Sequence, residues 1–149
     1  MKPGQLKIQP IIPNYINIFM TITPDDIYNL IHKGEGASVE IKKCSNTLPR
    51  SVWETYSAFA NTRGGVMLLG ITEHKERPIE SRFEITGVSD PDKIETDFFN
   101  ILNNRQKVSR NILFDSDFRQ IVRKFYQHGI FLDICVLILR NLKMSKRYG

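Results

Sequence analysis

Arg63-Gly64-Gly65 is the segment whose residue types best suit holding an anion. A guanidinium is permanently charged and matches phosphate geometry. Paired glycines allow the positive-φ backbone that can turn N–H groups toward the same ligand. The segment lies inside ETYSAFANTRGGVMLLGI, Glu54 to Ile71. Val52, Tyr56, Phe59 and Ala60 follow the i, i+4, i+7, i+8 spacing of one helix face. Asn61-Thr62-Arg63 is a poor helix interior, and the glycines suit a helix exit. Val66 to Ile71 is an unbroken apolar run, the pattern of a strand covered on both faces. Helix, turn and strand thus form one rigid unit with Arg63 at its surface. The same residues also suit a helix C-cap with a basic residue against the dipole, and the two uses are compatible.

Other chemistries find less support. No GxxxxGK[ST] occurs, so P-loop ATP hydrolysis is rejected. The GEGASV stretch lacks the third glycine of a dinucleotide fingerprint and precedes a strand instead of following one. His32, His74 and His128 have no metal-ligand spacing, and no Ser/His/Asp or Cys/His arrangement stands out. Cys44 and Cys135 are far apart with no CxxC, which reads as two free thiols in a reducing cytosol. The chain of 149 residues carries a net charge of +5 and a pI near 9.3, favouring an acidic partner without naming one. No apolar stretch approaches the ~18 residues of a membrane span, so no membrane partner is expected.

These residues must be positioned by an α+β domain, a mixed sheet flanked by about three helices. Thr23-Pro24-Asp25-Asp26 starts a helix with an N-cap, a first-position proline and first-turn acids. Ile27, Leu30 and Ile31 form its buried stripe, and Gly34 ends it. Ser38 to Lys42 alternates, turning Val39 and Ile41 to the core and Glu40 and Lys42 to the other face. Pro49 opens the helix before Arg63. Residues 83–88 form a strand, and Asp90-Pro91-Asp92 starts a helix burying Ile94, Phe98, Ile101 and Leu102. Residues 117–124 and 129–136 pair as a hairpin. The predicted order is α-β-α-β-β-α-β-β. Residues 1–20 are expected to be an extension or loosely held arm, 21–136 the domain, and 137–149 a basic tail, truncated or outside the native fold.

From Thr21 to Val136 the chain resembles the Schlafen AlbA-like family, also labelled a divergent AAA domain. The likeness is carried by GEGASVEIK, by LPRSVWETYSAFANTRGGVMLLGI and by FEITGVSDPDKIETDFFNIL. The second block is similar to the family's helix followed by an Ala-Asn-Thr-x-Gly-Gly segment and strand. The resemblance implies a cytoplasmic, bacterial, nucleic-acid-binding domain of a transcriptional regulator, with DNA placed ahead of RNA. Lys42, Lys43, Asn61, Arg63, Gly64 and Gly65 would contact nucleic acid, the two lysines lying near the Gly-Gly turn in the family topology.

In animal Schlafens related domains form an RNA-cleaving site from three carboxylates. Glu35 and Glu40 match two of them, and the third falls at Thr72-Glu73. The resemblance therefore implies a second reading, a nuclease using Glu35, Glu40 and Glu73. There Glu35 and Glu40 would hold Mg²⁺ or Mn²⁺, since Mg²⁺ takes one or two carboxylates plus water and phosphate oxygens. Against it stands the plain alternative that Glu40 pairs with Lys42 or Lys43 on a sheet face. A third reading is a dimerisation module, its sheet left partly uncovered by a missing C-terminal strand. Arg105, Lys107, Arg110, Arg119, Arg123 and Lys124 form a second basic stretch, read as a solvated face. Trp53 is read as packing beside the core and not as a base-stacking platform.

Overall fold

The computed structural model describes residues 22–36 and 38–139. The expected extension over residues 1–20 and most of the expected tail lie outside that span.

Among the described residues three α-helices form on apolar spacing, two of them at side-chain caps. The α1 helix (Pro24–Lys33) begins at a reciprocal cap: Asp26 N–H donates to Thr23 Oγ1 at 3.2 Å, and Thr23 N–H to Asp26 Oδ2 at 2.8 Å. It ends at Gly34, φ 70°. The α2 helix (Ser51–Ala60) buries Val52, Tyr56, Phe59 and Ala60, the predicted stripe. It starts two residues after Pro49, with no side-chain cap. The α3 helix (Pro91–Leu102) is capped by Asp90, which accepts from Lys93 N–H at 3.1 Å.

The main sheet has four strands in the order β1 (Val39–Lys42), β2 (Gly65–Leu69), β6 (Ile130–Leu139), β5 (Phe118–Gln127). The β1–β2 pair is parallel, with α2 in the crossover, and the other pairs are antiparallel. All five residues of β2 are buried. The α2 and α3 helices pack on one face against Met67, Leu69, Cys135 and Leu137. On the other, α1 and a small hairpin, β3 (Ile71–Glu73) with β4 (Phe83–Ile85), pack against Val66, Leu68, Ile134 and Val136. His74 closes that hairpin by a 2.8 Å contact with Glu84, which Arg77 joins at 3.3 Å.

Three expectations need correction. The single strand expected over Val66–Ile71 is two, because Gly70 at φ 106° breaks the ladder and sends β3 into the second sheet. The strand expected over residues 83–88 stops at Ile85. Thr86 and Gly87 donate their N–H groups to the Gly70 carbonyl at 3.0 and 2.8 Å instead. The second hairpin strand, expected over residues 129–136, runs on to Leu139: Leu137, Ile138 and Leu139 are buried in β6 and pair with Met67, Val66 and Gly65. β6 is flanked on both sides, by β2 and β5. Among the described residues the large exposed apolar side chains include Tyr126, Ile130 and Phe131 at the β5–β6 tip. There His128 and Gly129 both have positive φ, the mark of a two-residue type I′ turn.

Candidate nucleic-acid interface

β1 is an edge strand, so alternate backbone groups of it face away from β2. The loop after α1 folds back onto that edge. Gly36 N–H donates to Val39 O at 3.1 Å, and Ile41 N–H donates to Glu35 Oε1 at 3.3 Å. Glu40 lies on the strand face opposite Ile41, where Lys42 Nζ meets its Oε1 at 3.4 Å and donates to Ser51 Oγ at 3.0 Å. Lys42 is thereby drawn down beside the start of α2, with a side chain only 9% exposed. Glu73 ends β3, which packs beside β1. Burial pushes the Glu35 carboxyl up, and the charges of Glu40 and Glu73 push it the same way. The three expected carboxylates therefore share one electrostatic neighbourhood. Among the described residues, however, no group of three His, Cys, Asp or Glu side chains is placed to hold a metal ion. The arrangement matches the plain ion-pair reading of Glu40.

Glu35 gives a pH-dependent prediction. Its folded pKa lies above the ordinary 4.5, so its contribution to stability is full below 4.5 and is lost as pH rises through the folded value. Glu35→Gln keeps an oxygen for the Ile41 N–H and removes the repulsion. It should melt higher than the parent at pH 7, the gap closing as pH falls below 4.5. Glu35→Ala leaves the edge N–H without its acceptor and should lose roughly 0.5–1 kcal/mol. Equal melting points for Glu and Gln at pH 7 would show that solvent screens the cluster.

The Gly-Gly turn is built differently from the expected phosphate cradle. Gly64 has φ 81° and donates its N–H to Phe59 O at 2.9 Å, closing the end of α2. Both glycines are buried. The Gly64 N–H is thus spent within the helix end, while Asn61, Thr62 and Arg63 are exposed. Lys42 and Lys43 are also not beside this turn. The parallel register sets Val66 opposite Val39 and Leu69 opposite Lys42. The lysines thus leave the far end of the pair, about 13 Å along the strands from Gly65. Lys43 is exposed there.

A different set of cations joins Asn61. After α3 the chain turns through Asn104, whose carbonyl accepts from Lys107 and Val108 N–H, both at 2.9 Å. Asn111 Nδ2 donates to Asn103 Oδ1 at 2.9 Å. Tyr56 then fastens this segment to α2: its hydroxyl donates to Arg110 O at 2.7 Å and accepts from Ile112 N–H at 3.1 Å. Burial pushes the Tyr56 hydroxyl pKa up, partly offset by the Ile112 bond. Between α2 and this segment lies a cleft of about 290 Å³, lined by Trp53, Tyr56, Asn61, Lys107, Ser109 and Arg110 among others. Lys107 and Arg110 are exposed and have no acid partner among the described residues. Sequence reasoning placed both on an ordinary solvated face. The polar run after Asn103 signalled a loop, but nothing in it pointed back to α2.

The family described as Schlafen, AlbA_2 matches residues 35–144. The chain belongs to the Schlafen AlbA_2 family. The matched span holds every expected site residue, from Glu35 and Glu40 through Asn61 and Arg63 to Glu73, and also the cleft with Lys107 and Arg110. Among solved structures this Schlafen AlbA_2 domain is similar to the N-terminal domain of a RecG-related protein from Nitrosomonas europaea, determined by NMR in solution. The TM-score is 0.53 at 24% identity, covering 76% of this chain and 71% of that one. The likeness shows a shared fold. No curated protein matches the chain. No helix among the described residues is long and apolar enough to cross a membrane.

Proposed function

We propose that this domain binds nucleic acid, DNA ahead of RNA, as the binding part of a transcriptional regulator. Phosphates are held by Arg63, Lys107 and Arg110 around the end of α2, with Asn61 as a neutral contact between them. The observation that carries this reading is the gathering of Lys107 and Arg110 into one cleft with Asn61, two residues before the exposed Arg63. Family membership supports it. Cations at a solvated rim fix a backbone without reading sequence, so sequence preference is weak.

Anisotropy of labelled duplex DNA and structured RNA over a salt series tests the proposal. Three phosphate contacts predict a log–log salt slope of roughly −3. Arg63→Ala should weaken binding and flatten the slope by about one. Lys42→Ala should change it little, because Lys42 is tied to Glu40 and Ser51. Binding indifferent to salt and to Arg63→Ala would sink the proposal.

The nuclease reading would need Glu35, Glu40 and Glu73 to converge on one ion. In the described geometry Lys42 instead pairs with Glu40 and Glu35 accepts from the Ile41 N–H, which favours the binding reading over this one. Metal-dependent cleavage of bound RNA that disappears in Glu40→Gln would reinstate it.

A further inference from the structure

We infer that the cleft between α2 and residues 104–112 takes one unpaired nucleotide, its phosphate between Lys107 and Arg110 and its base against Trp53. This deepens the nucleic-acid reading and rests on it. The cleft joins three features that a flat cationic surface lacks. Its volume of about 290 Å³ lies near the small end of ligand pockets. Its cations stand on one wall, on the segment that Tyr56 fastens by hydrogen bonds of 2.7 and 3.1 Å. Its opposite wall carries an aromatic ring held rigidly from behind. Trp53 stacks on the buried Phe98 at 5.1 Å and 14° and meets Tyr56 edge-on at 5.9 Å. With one face on Phe98, the half-buried indole is among the residues that line the cleft. Such a platform is sequence-tolerant, because every base has a π face.

Asn61 adds a polar edge. Its amide nitrogen donates to Ser57 O at 2.9 Å, which leaves the amide oxygen as an acceptor beside the cleft. A base N–H is the matching donor. Base pairing keeps bases stacked inside a duplex, away from any side-chain platform. The site therefore selects single strands, ends or bulges, while Arg63 outside it grips phosphate in any form.

Trp53 is the sole tryptophan of the chain, so its emission reports on this cleft and nowhere else. The intact chain is titrated with an oligothymidylate, with the same strand annealed to oligoadenylate, and with free thymidine monophosphate. Anisotropy of the dye-labelled strands is followed in parallel. The expected result is quenching by the single strand, with little quenching by the duplex although it binds. Lys107→Gln/Arg110→Gln should weaken the quenching constant roughly tenfold or more. These are exposed residues, and an unchanged melting point confirms that the double variant folds. Quenching by the free nucleotide as well shows that the cleft recognises the isolated unit; quenching by the strand alone shows that it needs a continuous backbone. Strand binding by anisotropy with no change in Trp53 emission overturns this inference and leaves the nucleic-acid reading standing. Quenching that the double variant leaves unchanged overturns this inference too, and with it the assignment of phosphate contacts to Lys107 and Arg110. No anisotropy change with any nucleic acid overturns the broader reading, and this one with it.

Discussion

Phe98→Ala should cost about 3–5 kcal/mol, a large share of the 5–15 kcal/mol of a typical domain. Phe98 is fully buried on α3 and touches three other rings of the same layer: Trp53 at 5.1 Å, Phe99 at 5.3 Å and Phe118 at 5.4 Å. Those rings come from α2, α3 and β5, so the side chain joins both helices to the sheet. Truncation opens a cavity that rigid aromatic neighbours collapse into poorly. The urea midpoint should fall at unchanged slope, and Trp53 emission in the folded baseline should shift as its stacked partner disappears. Phe98→Leu, which refills part of the space, should recover much of the loss. A loss below about 1 kcal/mol for alanine would mean that the layer repacks freely, contrary to its close-packed geometry.

Gly65→Ala is the second large effect, and its cause is separable. A Cβ on Gly65 would lie 2.5 Å from Phe59 Cε2, 2.6 Å from Cζ and 2.7 Å from Cδ2. Phe59 is itself buried between α2 and the sheet, so the ring has little room to retreat. Overpacking of this kind costs typically 1–3 kcal/mol or more. The backbone at Gly65 is not in the positive-φ region, unlike Gly64, so the penalty is steric and not conformational. Phe59→Leu alone should destabilise. Combined with Gly65→Ala, it should restore part of what the alanine removed, a non-additivity that a thermal-melt double-mutant cycle reads directly. Strict additivity would place the cause somewhere other than this contact. In the overpacked variant the end of α2 should shift, and the proposed nucleic-acid binding through Arg63 should fall alongside stability.

Much of the fold is visible in short-range patterns. The caps at Thr23 and Asp90, the Val52/Tyr56/Phe59/Ala60 stripe and the Val39/Ile41 alternation all follow from spacing alone, and each forms as expected. The β5–β6 hairpin is also legible through its His128-Gly129 turn. Its bulge is not: Arg123 at φ 55° donates its N–H to Asp133 Oδ1 at 2.8 Å, a contact ten residues away. Gly70 sits within an apolar run, and nothing in its neighbours announces the break. Leu137-Ile138-Leu139 did carry a strand signal, obscured by the basic residues that follow.

The site was less legible for a related reason. Local motifs identify Arg63 and Asn61, but whether Lys42 lies beside them depends on the direction of the β1–β2 pair. The parallel register puts it at the opposite end. Lys107 and Arg110 reach the candidate cleft on a segment fastened by Tyr56, whose hydrogen bonds bridge 54 and 56 residues of chain. Spacing rules have no access to such contacts.

β6 is an interior strand of the sheet, yet it is the last of the described strands in chain order. On the ribosome, β1, α2 and β2 emerge well before it. Until residues 130–139 follow, β2 offers one unpaired edge and two apolar faces to whatever is near. Closing the sheet then requires bringing together ends of the chain separated by most of the domain, which is slow for topological reasons. The domain therefore closes its sheet only once residues 130–139 have emerged, and its nascent first half is the stage most exposed to aggregation or chaperone capture.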